Sequence, residues 1–169
     1  KNGDVLAHPS ESIWGLAVDP LNTAALNRLI FLKGRPPQHG FIVVAASWVQ
    51  LKPWITPFTT DQEHLIYQPT SRPCSWIVPT KKSLPTTLTG GRDSLACRIT
   101  QHLELKELCQ AFGPIVSTSA NPHGEQPATN KKELHQYFGD NIVTLDGQLG
   151  KEKKPSMIID LASQKVLRS

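Results

Sequence analysis

Apolar residues along the chain fall into short blocks separated by polar turns rich in proline and glycine, a pattern that predicts strands interleaved with helices. Residues 5–7 read as a short strand and 13–18 as a second, with the polar turn His8-Pro9-Ser10-Glu11-Ser12 between them. Asn22 is suited to cap a helix; Leu26, Leu29, Ile30 and Lys33 follow at helical spacing, and Gly34 stops it. Pre-proline Arg35 and the pair Pro36-Pro37 prevent continuation. Residues 41–46 are apolar without alternation, which predicts a strand buried on both faces. Residues 47–68 read as two short helices around Pro53 and Pro57. Further strands are expected at 75–78, 94–99, 115–118, 142–145, 157–161 and 165–167. Helices are expected at 103–112, ended by Gly113, and from a Thr129 cap through Phe138. Residues 79–93 read as a loop turning at Gly90-Gly91, and 147–155 as a solvated surface loop with Lys151, Lys153 and Lys154. The interleaving is irregular, so the expected fold is mixed α/β (α+β), with one twisted sheet holding parallel and antiparallel neighbours.

The length, 169 residues, fits one domain able to bury its own core. With 38% hydrophobic and 19% charged residues, the composition is that of neither a disordered tail nor a membrane protein. The longest apolar run, residues 41–46, is far short of the ~20 residues a spanning helix needs, so no membrane partner is expected. The balance of +4 permits a polyanionic partner such as RNA or a phosphorylated substrate without demanding one. Cys74, Cys97 and Cys109 are odd in number and show no CxxC spacing, which favours a reducing, cytoplasmic setting. A Walker A loop, a GxGxxG turn, an HExxH helix, a zinc-ligand cluster and a GxSxG elbow are all absent from the sequence.

Four constellations remain. In Lys33-Gly34-Arg35-Pro36 two cations sit on a stiffened turn, able to converge on one anion or simply to offset a helix dipole. In Ser117-Thr118-Ser119-Ala120-Asn121 a strand end carries alternating polar side chains, able to bind phosphate or ribose or to close on the backbone. In the His8–Ser12 turn, Ser10 could bond a small polar ligand and Glu11 could hold a cation or orient a base. Arg98 lies in an apolar strand, where a lone charge is too costly; it pairs with an internal carboxylate or binds an anionic ligand.

Taken in order, these pieces resemble the YrdC-like family, the threonylcarbamoyl-AMP synthases. The matching motifs are Pro9-Ser10-Glu11-Ser12-Ile13-Trp14-Gly15-Leu16, Lys33-Gly34-Arg35-Pro36, Arg72-Pro73-Cys74-Ser75, Ala96-Cys97-Arg98 and Ser117-Thr118-Ser119-Ala120-Asn121-Pro122-His123-Gly124. The closing segments Lys154-Pro155-Ser156-Met157 and Val166-Leu167-Arg168 also fit, so the match spans nearly the whole chain and resembles the short bacterial form. The resemblance implies a YrdC-like twisted mixed sheet with a concave basic face. It implies that L-threonine, bicarbonate or CO2, and ATP give threonylcarbamoyl-adenylate and diphosphate, a nucleotidyl transfer. The product would serve N6-threonylcarbamoylation of adenosine 37 in tRNAs reading codons that start with A. It assigns Lys33 and Arg35 to the triphosphate, as catalytic groups, and Ser117, Ser119, Asn121 and Arg168 to ATP binding. It assigns Ser10, Ser75 and Arg98 to threonine binding, Arg98 to the carboxylate or to a phosphate. Mg2+ would travel with ATP, with no protein metal site. Proteins of the downstream transferase complex are implied partners, and tRNA or double-stranded RNA is a permitted one.

The sequence departs from the usual pattern at several points. Ser10 and Ser75 stand where threonine is usual, Trp14 replaces a tyrosine, and Arg72-Pro73-Cys74 lacks a glycine. Met157 stands where threonine is common. The family begins with a helix that only Lys1 to Asp4 could precede the first strand to supply here, so that helix is expected to be missing. Two other readings stand beside the synthase: a non-catalytic tRNA- or rRNA-binding module on the same fold, and carbamoyl transfer to another acceptor, as in the YrdC-like domain of hydrogenase maturation proteins.

Overall fold

The computed structural model describes residues 3–81, 84–152 and 155–168. Lys153 and Lys154 of the expected lysine loop lie outside the described residues. Nine strands form one sheet: β1 (Leu6–His8), β2 (Gly15–Val18), β3 (Ile42–Ala45), β4 (Cys74–Pro79), β5 (Ser94–Ile99), β6 (Ile115–Ser119), β7 (Val143–Thr144), β8 (Met157–Asp160) and β9 (Val166–Arg168). Their order is β7-β1-β2-β6-β3-β5-β4-β8-β9. Parallel pairs (β1 with β7, β3 with β5, β4 with β8) mix with antiparallel ones, as the irregular interleaving predicts.

Helices cover both faces unequally. Helix α1 (Thr23–Lys33), α2 (Trp48–Leu51), α4 (Thr86–Thr89) and α6 (Lys131–Phe138) send Leu26, Leu29, Leu51, Leu88, Leu134 and Phe138 into one large core with Val43 and Val116. Helix α5 (Leu103–Phe112) alone packs on the other face, burying Leu105 and Cys109 against Ala17, Val44 and Ile115. Strand β3 therefore has both faces covered, Val43 on one side and Val44 on the other, which is why its sequence shows no alternation. Helix α3 (Thr60–Tyr67) starts with a capping box between Thr59 and Gln62.

Two expectations need correction. Residues 79–93 are not wholly loop: Thr86–Thr89 form helix α4, a threonine-rich turn of poor intrinsic propensity held by fully buried Leu88. Helix α6 is capped by Asn130, whose side chain accepts from the Glu133 amide; Thr129 instead donates its amide and hydroxyl to Glu133 Oε2. A short 3-10 turn, Pro37–His39, starts at the second proline of the pair. The segment 147–152 is the expected surface loop, with Gly147, Gln148, Lys151 and Glu152 exposed, but two backbone hydrogen bonds anchor it. Gly150 N donates to Ser10 O (2.8 Å) and Glu152 N to Glu11 O (2.9 Å), and a Cβ at Gly150 would lie 2.5 Å from that Glu11 oxygen.

Candidate active site

Side chains alternate across a sheet, so register decides which residues share a face. Ser117 pairs with Ala17 and Ser119 with Gly15; His8 also pairs with Gly15. Val44 pairs with Arg98, Ser75 with Ile158, and Ile158 with Arg168. Ala17 and Val44 belong to the small core under α5. The pairing thus puts His8, Ser117, Ser119, Arg98, Ser75 and Arg168 on the α5 face, beyond the stretch that α5 covers. A cleft of about 220 Å³ opens there, lined by Ser10, Glu11, Arg35, Arg98, Ser117, Ser119, Ser156 and Arg168 among others.

Among the described residues, charge in this cleft is unbalanced: three guanidiniums face a single carboxylate. Arg98 Nη1 donates to Glu11 Oε1 at 2.5 Å, and Thr100 Oγ1 donates to the same oxygen at 2.7 Å. Burial pushes the Glu11 carboxyl up, but the Arg98 charge and these two hydrogen bonds outweigh it and hold it at about 2. Of the two fates open to Arg98, an internal carboxylate or an anionic ligand, the structure shows the first, while leaving the guanidinium on the cleft wall. Arg35 donates to Gly40 O (3.0 Å) and lies 5.3 Å from the centre of the Phe41 ring. Its buried Nε has no hydrogen-bond partner among the described residues. Arg168 donates to Ser156 O at 2.7 and 3.0 Å, and to Ser156 Oγ at 3.1 Å. Burial, and then the charge of Arg168, lower the pKa of Arg35; burial, and then Arg98 and Arg72, lower that of Arg168. These cations repel one another, and an anion between them relieves the repulsion.

Lys33 and Asn121, which the resemblance assigns to ATP, hydrogen-bond within the protein beside the cleft. Lys33 ends α1 and is only 3% exposed. Its Nζ donates to Ser119 O (2.5 Å) and Asn121 O (2.6 Å), with Asn121 Oδ1 at 3.4 Å. Three acceptors match the three hydrogens of an ammonium. Burial, and then the neighbouring Arg35 charge, bring its pKa down to about 7. The Asn121 amide donates to Pro122 O and Glu125 O. Neither residue lines the cleft. The Lys33–Asn121 pair ties α1 to the end of β6, so the polar strand end closes on itself at Asn121 while Ser117 and Ser119 remain facing the cleft.

The remaining candidates divide the same way. Ser10 lines the cleft but spends its hydrogen on Ile13 O (2.7 Å), closing the turn. Ser75 is fully buried behind the wall, with its Oγ 3.0 Å from Ser156 Oγ. Sequence reasoning missed His8, Thr100 and Ser156. The signal for His8 was its place in the β1 alternation with Leu6; nothing local marked Thr100, whose partner Glu11 is 89 residues away, or Ser156, whose partners Ser75 and Arg168 are 81 and 12 residues away.

A larger cavity of about 770 Å³ adjoins the first and shares Glu11 and Pro73 with it. Among the described residues its charged lining, Arg72 and Lys151 against Glu11 and Glu152, is balanced. The smaller, arginine-rich cleft is therefore the site suited to anionic chemistry.

Comparisons agree with this architecture. The Sua5/YciO/YrdC family model, described as "Telomere recombination", matches residues 1–169. Proteins named "Threonylcarbamoyl-AMP synthase" from Thiobacillus denitrificans (38% identical over 170 residues, 100% of this chain and 90% of the relative) and Pseudomonas aeruginosa (40% over 169 residues, 99% and 91%) are similar along nearly their whole length. Among solved structures, Sua5 from P. abyssi complexed with L-threonine superposes with a TM-score of 0.86 at 28% identity, covering 95% of this chain. This chain spans about half of that one, 48%. E. coli YciO shares the fold (TM-score 0.83, 22% identity, 99% of this chain and 83% of that one). Sequence, topology and site thus converge, and the chain belongs to the Sua5/YciO/YrdC family.

Proposed function

We propose that this chain is a threonylcarbamoyl-AMP synthase, a nucleotidyltransferase that consumes L-threonine, CO2 or bicarbonate and ATP. The observation that carries the reading is the cluster of Arg35, Arg98 and Arg168 around one cleft with a single, already paired carboxylate. The reaction must bring anions together. The threonine amine loses a proton and adds to CO2, giving a carbamate. A carbamate oxygen then attacks the α-phosphorus of ATP, the bond to the bridging oxygen breaks, and diphosphate leaves. Charge is the main barrier, so positioning and fixed positive charge supply most of the catalysis, and no protein nucleophile is required.

Arg35 and Arg168 hold phosphate oxygens in this reading, their planar forks suited to bidentate contact. Arg98, kept in place by Glu11 and Thr100, takes the threonine carboxylate. Ser117 and Ser119 contact the substrates from β6, and Ser10 bounds the amino-acid end. Lys33, Asn121 and Ser75 act through backbone and neighbours, holding the wall in shape. Mg2+ arrives as part of the ATP substrate, its shell made by phosphate oxygens and water. The product feeds tRNA N6-threonylcarbamoylation in a reducing, cytoplasmic setting, handed to a separate transferase. The test is diphosphate release from ATP by the purified chain, with and without L-threonine and bicarbonate, and with L-serine or L-valine in place of threonine. Release that requires both supports the synthase. Release indifferent to them contradicts it.

A further inference from the structure

The proposed reaction leaves the buried imidazole of His8 without a part. His8, at the end of β1, is 1% exposed. Its Nδ1 lies 2.8 Å from the carbonyl oxygen of Pro9. A carbonyl only accepts, so Nδ1 carries the hydrogen. Burial lowers the pKa of the ring to about 4 and keeps it neutral, which leaves Nε2 as a bare lone pair. Ser117 Oγ, 3.2 Å from Nε2, must then be the donor. Room for this arrangement exists because residue 15 has no side chain. A Cβ on Gly15 would come within 2.7 Å of both Cε1 and Nε2 of His8, and 3.3 Å from Ser117 Oγ.

A serine hydroxyl has one hydrogen and two lone pairs. With its hydrogen turned inward, Ser117 offers the cleft acceptor capacity alone. Phosphate and carboxylate oxygens are themselves acceptors, so Ser117 does not match them, and the three guanidiniums of the cleft do. An N–H matches.

We propose that His8 is a positioning residue that locks Ser117 as a hydrogen-bond acceptor for the amino nitrogen of the amino-acid substrate. The identity of that substrate rests on the synthase reading; the lock itself does not. The nitrogen keeps at least one N–H throughout: as ammonium, as the free amine after a proton leaves to solvent, and as carbamate after a second proton leaves on CO2 capture. One contact therefore orients it before and after the C–N bond forms.

The test has two readouts on the whole chain. In the first, nitrogen-15 NMR of the histidine rings at neutral pH shows a neutral His8 with hydrogen on Nδ1, and Ser117→Ala moves the His8 Nε2 resonance. A charged ring, or hydrogen on Nε2, overturns the proposal whatever reaction the protein performs. In the second, KM values for L-threonine and ATP are measured for Ser117→Ala, His8→Phe, the double variant and His8→Gln. The expected result is a threonine KM raised about tenfold by either single change and no further by both, the size of one lost hydrogen bond. The ATP KM stays within about twofold, and the glutamine amide oxygen, still able to accept from Ser117, recovers part of the loss. Additive effects, or an effect on the ATP KM instead, overturn it. If His8→Phe does not fold, Ser117→Ala and the spectrum still decide. Absence of any threonine-dependent turnover in the unsubstituted chain would defeat the synthase reading and the amine assignment with it, while the spectrum reports separately on the lock.

Discussion

The two faces of the sheet are built from the same strands and do opposite things. On the face covered by α1, α2, α4 and α6, alternate positions such as Val43, Trp76, Val78, Leu95, Cys97 and Val116 are apolar and buried together. On the α5 face, the intervening positions include His8, Ser75 and Arg98, buried with hydrogen bonds in place of a continuous apolar core. Burial is similar, but its origin is not. The first face is stabilised by removing apolar area from water, which tolerates changes of shape within limits. The second holds polar groups whose desolvation is offset only while each partner is present. Chemistry is placed where the protein can hold charge in fixed positions, and the apolar face supplies the rigidity that makes this feasible.

Removing one member of the buried pair tests that difference most strongly. Glu11→Ala strands Arg98 without a partner and is expected to lower stability by about 3–5 kcal/mol in urea unfolding. Replacing both partners, Glu11→Leu with Arg98→Met, should recover much of that loss while abolishing activity. A cavity on the apolar face, Leu29→Ala, is expected to cost a comparable ~2–5 kcal/mol, with no second substitution of opposite charge able to repair it.

The arginine cleft should show the reverse profile. Arg35→Ala and Arg168→Ala are each expected to lower kcat by about 10²–10³ while the melting temperature stays nearly constant. Arg35→Lys should not restore the rate, because an ammonium lacks the planar fork that lies against Phe41.

Acid should act on the polar face first. An unfolded His8 takes up its proton near 6.5, the folded one only near 4. Between those values the unfolded chain binds more protons, so stability falls as pH drops through that window, by about 3 kcal/mol for the full shift. Glu11 adds a second loss lower down, between about 4.5 and 2, as its carboxylate is protonated. His8→Phe should remove the upper window from a plot of unfolding free energy against pH, leaving the lower one.

The smallest change expected is at a distance from both. Asn130→Ala removes the cap of α6 and should cost about 1 kcal/mol, with activity unchanged.

Much of this organisation is legible in the sequence. The α1 boundaries follow from the Asn22 cap and Gly34, and the double-sided burial of β3 follows from its unbroken apolar run. The site motifs were legible as well, since Arg35, Arg98, Ser117, Ser119 and Arg168 reach one cleft. What was hidden is what depends on partners distant in the chain. That Lys33 also bonds Ser119 and Asn121, tying α1 to the end of β6, shows only in the folded chain. Asn121 looks like a third member of an alternating row until its amide is seen to bond Pro122 and Glu125. The segment 147–152 is the solvated loop its composition suggests, but its anchoring to the backbone of Ser10 and Glu11 is something no local pattern reports. Helix α4 was hidden for the opposite reason: its threonines argue locally against helix, and one buried leucine overrides them.

The measurement that bears most directly on the account is isolation of the nucleotide product formed from ATP, L-threonine and carbon-13 bicarbonate, identified by mass spectrometry. The account predicts an adenylate that carries both the threonyl group and the carbon-13 label, formed in step with diphosphate and lost in Arg35→Ala. Unlabelled AMP alone, or no nucleotide product from the folded chain, would contradict it.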